Sequence, residues 1–220
     1  ALSFIVHNNP KTEIINLTFL GGEPLLNKKS IYECMDIIEH KYPESKSLFE
    51  FHITTNGILL DKEIIELFKE NNVDVSISID GDKRTHNLNR KSKNGQDVYE
   101  TIIENMKLMQ EMSLEFFVRM TVTENNVAFL SENLNYFYNL GIRRFHLGID
   151  HMGNWTEEGL KLLDAQMDKV DQFYLDVLCG VDGAILNLHD YKIGTFIAKS
   201  IPQYCSGGSI GHLTINSSGE

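Results

Sequence analysis

The chain has 220 residues, 42% of them apolar, and carries 31 acidic against 20 basic side chains for a formal net charge of −11. That length and composition bury a full core in one domain with a short extension of a second, and the acidic balance works against nucleic acid, whose affinity comes mainly from Lys and Arg on phosphates. No apolar run reaches about 18 residues, residues 1–10 have neither a basic start nor a cleavage site, and Cys34, Cys179 and Cys205 are too scattered for a secreted disulfide framework, so a soluble, cytoplasmic protein is expected.

Apolar, β-branched stretches predict strands over 14–20, 48–55, 73–79, 114–122 and 142–149. Between them, Ser30 is expected to cap a helix with Ile31, Met35 and Ile38 on one face, and Asp61 another with Ile64, Ile65 and Phe68 inward. Further helices are expected over 97–112 and 127–140, the second stopped by Gly141. Such alternation implies right-handed βαβ units and a parallel α/β sheet, either doubly wound or a partial or complete barrel, with ligands gathering at the C-terminal ends of the strands. Those ends read Gly21-Gly22-Glu23-Pro24, Thr55-Asn56-Gly57, Asp80-Gly81, Thr121-Val122-Thr123 and Gly148-Ile149-Asp150. After Asp150 the rhythm stops: helices are expected over 156–178 and 190–201, and Cys205 with the stretch 210–215 opens a new unit. The expected division is 1–150 for the sheet core, 151–203 for a helical extension and 204–220 for the start of a small domain.

The rim carries the chemistry. Gly21 and Gly22 let a ligand approach the backbone, Pro24 fixes the exit of the turn, and Glu23 adds a carboxylate that suits an ammonium group, although an ordinary tight turn with a solvated Glu has the same spacing. No Lys or Ser/Thr follows as a phosphate loop would need. Cys34 and Cys179 read as core filler. His86, His146, His151, His189 and His212 share no metal-ligand spacing and read as structural or surface residues, with only His151 beside a rim carboxylate, Asp150.

The segment Leu17-Thr18-Phe19-Leu20-Gly21-Gly22-Glu23-Pro24-Leu25-Leu26 resembles the second strand and Gly-Gly-Glu-Pro motif of radical S-adenosylmethionine (SAM) enzymes. In order after it, Ile53-Thr54-Thr55-Asn56-Gly57 resembles that family's third strand, Ser76-Ile77-Ser78-Ile79-Asp80-Gly81 its fourth, and Cys205 with Gly219 the opening of a SPASM/twitch-type auxiliary cluster domain. The resemblance implies a partial (β/α)6 TIM-like barrel lacking its first strand. It implies that Gly21, Gly22 and Glu23 hold the methionine ammonium of SAM. Ser78 and Asp80 would then face its ribose and methionine part, with Thr55 and Asn56 shaping the neighbouring rim and main chain near Leu147 meeting adenine. For the SAM carboxylate, Arg119 is the first candidate and Arg90 its rival, since a fork of donors suits that group; an ion pair across the barrel is the plain alternative for Arg119.

The family's CxxxCxxC motif for its catalytic [4Fe-4S] cluster is absent, the nearest cysteines, Cys179 and Cys205, lying 26 residues apart. The motif and first strand are therefore expected upstream of Ala1, and Cys205 is expected to be one ligand of an auxiliary cluster that this chain leaves incomplete. In the intact parent the resemblance implies electron delivery from a flavodoxin or ferredoxin, reductive cleavage of SAM to a 5′-deoxyadenosyl radical, and modification of a protein or peptide by formylglycine formation or crosslinking; this chain alone is expected to be inactive. Two other readings stay open: an α/β-barrel hydrolase or lyase that uses Glu23, Asp80 and Asp150, and a cluster-less relative that binds peptides.

Overall fold

The structure, a computed structural model, describes residues 2, 3, 6, 14–90 and 97–199. The expected auxiliary-domain residues Cys205 and Gly219, and His212, lie outside the described residues.

Among the described residues six strands form one sheet: β1 (Ile15–Phe19), β2 (Phe49–Thr55), β3 (Asp74–Ser78), β4 (Phe116–Val122), β5 (Arg144–Ile149) and β6 (Ile185–Leu186). Every neighbouring pair is parallel and the spatial order equals the chain order. That order separates the two architectures the sequence leaves open. A doubly wound sheet reverses its direction of winding, whereas right-handed crossovers that always step the same way place every helix on the same face. The chain is accordingly a parallel α/β partial barrel.

Burial alternates with the period of two that this requires. Phe116, Val118, Met120 and Val122 of β4 are buried, as are Phe51 and Ile53 of β2, Val75 and Ile77 of β3, and Phe145 and Leu147 of β5. They pack under α1 (Lys28–Lys41), α2 (Lys62–Glu70), α4 (Tyr99–Glu111) and α5 (Leu130–Asn139), whose inward residues include Ile31, Ile38, Ile64, Phe68, Ile102, Met109, Leu134 and Phe137. The intervening strand residues point to the other, open face. They are mostly polar: Asn16, Thr18, His52, Thr54, Asp74, Ser76, Ser78, Arg119, Thr121, Arg144 and His146. A parallel sheet with one apolar and one polar face has its core on the helix side and its chemistry on the other.

Several boundaries differ from expectation. Asn27, not Ser30, caps α1: a 3-10 turn over Pro24–Asn27 starts the helix earlier, and the Asn27 carboxamide oxygen accepts the Ser30 N–H at 3.3 Å. Asp61 caps α2 as expected, accepting from Ile64 N–H at 3.0 Å. Between β3 and α4 lies an unexpected short helix, α3 (Lys83–Asn89), capped by Asp82 onto Thr85 N–H. The long helix after β5 is α6 (Glu157–Phe173), capped by Thr156 and ending in a π turn over Tyr174–Leu178. The last helix, α7 (Asn187–Ile197), begins three residues before the expected start at 190 because β6 delivers it directly. Cys179 is exposed, on the turn that follows the π segment, while Cys34 is half-buried in α1 and burial raises its thiol pKa. Among the described residues no helix is long and apolar enough to cross a membrane.

Candidate functional site

The loops at the strand C-termini are tied to one another by polar side chains, which turns a series of separate turns into one rim. Glu23 joins the first two. Its Oε1 accepts from Leu25 N–H at 3.0 Å and from the Thr55 hydroxyl at 2.6 Å, and its Oε2 accepts from Asn56 N–H at 2.7 Å. Thr55 accepts the Gly57 N–H in turn, and the Asn56 side chain accepts the Ile58 N–H. A carboxylate offers about four acceptor positions, so one on Oε2 remains beside the glycine loop. A Cβ built on Gly21 or Gly22 meets nothing within 4 Å. That part of the backbone is open to a ligand.

Asp80 joins the third loop to β4. Its side chain is 1% exposed and accepts a fork from Arg90, Nε to Oδ2 at 2.9 Å and Nη2 to Oδ1 at 3.0 Å, while Oδ1 also takes the Thr121 N–H at 2.8 Å. Arg90 Nη2 reaches the Thr121 hydroxyl at 3.3 Å. A guanidinium has five N–H donors, and among the described residues the two on Nη1 have no hydrogen-bond partner. Asp80 thus keeps one acceptor position, on Oδ2, and its other three hold the Thr121 N–H and orient Arg90, the cation that sequence reasoning ranked second. Asp80 and Arg90 are ten residues apart with α3 between them, and the signal that could have joined them was the Asp82-Lys83-Arg84-Thr85 cap that starts a helix there.

The remaining links follow the same pattern. The Thr123 hydroxyl donates to Asn89 at 3.1 Å, and buried Asn126 accepts from Thr123 N–H and donates to Thr121 C=O, both at 2.8 Å. Glu124 accepts from both Thr156 N–H, at 2.6 Å, and the Thr156 hydroxyl, at 2.5 Å. At the β5 end, Asn187 caps the Leu147 main chain, taking its N–H at 2.7 Å and giving to its C=O at 3.2 Å. A main-chain contact to a ligand at Leu147 is left to the second lone pair of that carbonyl.

One layer below the rim, Ser78, Arg119 and His146 stand in register on β3, β4 and β5. Burial and the Arg119 charge lower the His146 pKa. On the inward side of α3, His86 is buried against Asp80, Arg90 and the Tyr99 ring, and burial pushes its pKa down to about 4. At neutral pH it is therefore uncharged.

The three carboxylates that a hydrolase would need do not converge. Glu23 serves loops one and two, Asp80 serves Arg90, and Asp150 accepts the N–H of Met152 in its own turn at 3.1 Å. Among the described residues, no three His, Cys, Asp or Glu side chains group to hold a metal ion. The free acceptor position on Glu23 suits a cation and the free donors on Arg90 suit an anion, and among the described residues nothing groups to hold an iron cluster.

The radical SAM superfamily profile matches residues 5–128. The cysteine-type anaerobic sulfatase-maturating enzyme of Clostridium perfringens is 30% identical over 122 residues, 56% of this chain and 33% of that protein. The radical SAM cyclopropyl synthase TigE of Paramaledivibacter caminithermalis is 26% identical over 81% of this chain and 33% of that protein. The chain thus spans a third of the length of these curated relatives. The solved structure of native anSMEcpe with bound AdoMet and Kp18Cys peptide matches in fold at TM-score 0.77 and 21% identity, over 91% of this chain and 58% of that one.

Proposed function

The chain belongs to the radical SAM superfamily, and from that premise we propose that the rim of tied loops is a SAM site serving the modification of a protein or peptide. When bound, SAM supplies a sulfonium-activated adenosyl group; the chain's own residues bind it, orient it and keep water from it. The Gly21 and Gly22 main chain and the remaining acceptor position of Glu23 take the methionine ammonium, a charge-assisted contact. Ser78 faces the ribose side, Thr55 and Asn56 hold Glu23 in place, and the Leu147 carbonyl borders the adenine. For the carboxylate we assign Arg90 in place of Arg119.

The observation that carries this assignment is the Asp80 clamp. An arginine whose Nε and Nη2 are fixed by a buried carboxylate presents its remaining donors in one direction, with little rotamer freedom left to lose on binding. The C. perfringens and TigE relatives support a protein or peptide as the partner, and a cysteine-type or serine-type sulfatase maturase and a peptide maturase are the two readings of that partner. We further propose that the protein is cytoplasmic, that a flavodoxin or ferredoxin serves the parent as electron donor, that Cys205 belongs to an auxiliary [4Fe-4S] cluster in a domain starting near 204, and that 151–203 is a linker. On this reading the chain by itself is catalytically silent.

Equilibrium dialysis with radiolabelled SAM tests the site. Arg90→Ala should weaken binding by about tenfold or more, the loss of one charge-assisted contact, while Arg119→Gln should leave it within about twofold. Equal binding by wild type and Arg90→Ala would remove Arg90 from the site.

A further inference from the structure

The open face of the sheet holds two arginines, and they are in different states. Arg144 is committed: its guanidinium lies 4.1 Å over the Phe117 ring and pairs with Glu115 at 3.5 Å and Asp74 at 3.8 Å. Asp74 in turn pairs with His52 at 3.5 Å, and His52 meets the Asn16 carboxamide at 2.9 Å. These contacts form a closed polar floor across β1, β2, β3 and β5. Arg119, nearer the rim, is exposed and has no ion pair or hydrogen bond from its side chain among the described residues. Its register neighbours are Ser78 on β3 and His146 on β5. On the layer above are Thr121 and Asp80, the latter consumed by Arg90, and on the layer below are Ser76 and Phe117. No free carboxylate faces Arg119 from any of these strands.

We propose that Arg119 and His146 form a carboxylate-binding subsite on the open face of the sheet, separate from the SAM carboxylate position at Arg90, that selects an acidic group on the substrate polypeptide. The inference rests on the SAM reading and deepens it by naming a substrate feature. Adjacent parallel strands lie about 4.8 Å apart, so registered side chains on one face reach a common ligand atom or the two oxygens of one carboxylate. Arg119 supplies the charge and a planar fork of donors. His146, held neutral by burial and by the arginine beside it, adds one N–H donor without adding repulsion. A mid-strand position gives the subsite the rigidity that a loop would lack. A carboxylate there comes from an Asp or Glu side chain or from a peptide C-terminus; the chemistry is shared and the test separates the sources.

The test uses the chain as it stands, saturated with SAM, and three short probes: acetyl-Gly-Glu-Gly-amide, its glutamine counterpart, and acetyl-Gly-Gly-Gly with a free C-terminus. Binding is read by NMR from the His146 ring signals, and SAM binding is measured on every variant. One of the two carboxylate probes should bind with the glutamine peptide at least tenfold weaker. That difference should vanish in Arg119→Gln, be partly restored in Arg119→Lys, and persist in Arg90→Ala. Equal binding of the glutamate and glutamine peptides, no binding by either carboxylate probe at millimolar concentration, or undiminished selectivity in Arg119→Gln would each overturn the proposal. Loss of SAM binding in Arg119→Gln with retention in Arg90→Ala would return Arg119 to the cofactor and overturn the subsite. Loss of SAM binding from wild type as well, with glutamate selectivity intact, would refute the SAM reading and leave the subsite standing.

Discussion

Glu23, Asp80 and Asn126 at the rim have defined partners, and the consequences differ by residue. His86 is buried at 2% exposure with its Nδ1 unpartnered among the described residues, and burial takes its pKa from the ordinary 6.5 to about 4. A folded-state pKa below the unfolded one means that the unfolded chain binds the extra proton first, so stability falls as pH drops from about 6.5 through about 4. The depression is worth up to about 3 kcal/mol. Urea unfolding at pH 7 and pH 4.5 should therefore show a smaller loss for His86→Gln than for wild type; an identical loss in both would mean that His86 does not carry that part of the pH dependence. At this scale the sequence was legible where chemistry was local. Glu23 could be singled out from Gly-Gly-Glu-Pro, but its link to Thr55 and Asn56, more than thirty residues away, could not. Arg119 outranked Arg90 because a strand position is readable and a clamp formed across an unrecognised helix is not.

At the scale of elements, periodicity did what it should for α2, α4 and α5, whose inward residues repeat at helical spacing. It failed for α3, at seven residues too short and too polar to show a stripe, and for β6, only two residues long. Both matter: α3 carries Arg90 toward Asp80, and β6 positions Asn187 on Leu147. The turn that starts α3 is tightly constrained. Gly81 has a φ of +153°, and a Cβ there would stand 2.3 Å from Asn133 Cγ, the residue whose Oδ1 holds Asp82 N–H at 2.8 Å. Gly81→Ala should cost about 1–3 kcal/mol and, by displacing α3, should weaken SAM binding together with stability. Chemical denaturation alongside dialysis checks this, and a fully stable variant with normal affinity would show that the loop tolerates the added methyl.

For the whole molecule, the same-direction winding decides the rest. It collects the helices on one face, leaves a polar face open, and lines the rim with loops that hold each other in place. The sequence carried the alternation and the parallel sheet but not the choice between barrel-like and doubly wound order, because spatial order depends on crossover direction, which no local pattern encodes. Whole-molecule chemistry also sets a negative expectation. With no CxxxCxxC in the chain, anaerobic reconstitution with iron and sulfide should give well under four irons per chain, and a stable complement of about four would contradict the proposed silence of this chain.

On the proposed reading, the loops after β1, β2 and β3 hold one SAM molecule between Glu23 and Arg90, and a crystal structure of the chain grown with SAM measures this directly. The methionine amine should lie within hydrogen-bond distance of Glu23 Oε2 and the glycine loop, with the carboxylate on Arg90 Nη1. Electron density for SAM on another surface, or with its carboxylate on Arg119 and Arg90 untouched, would contradict it.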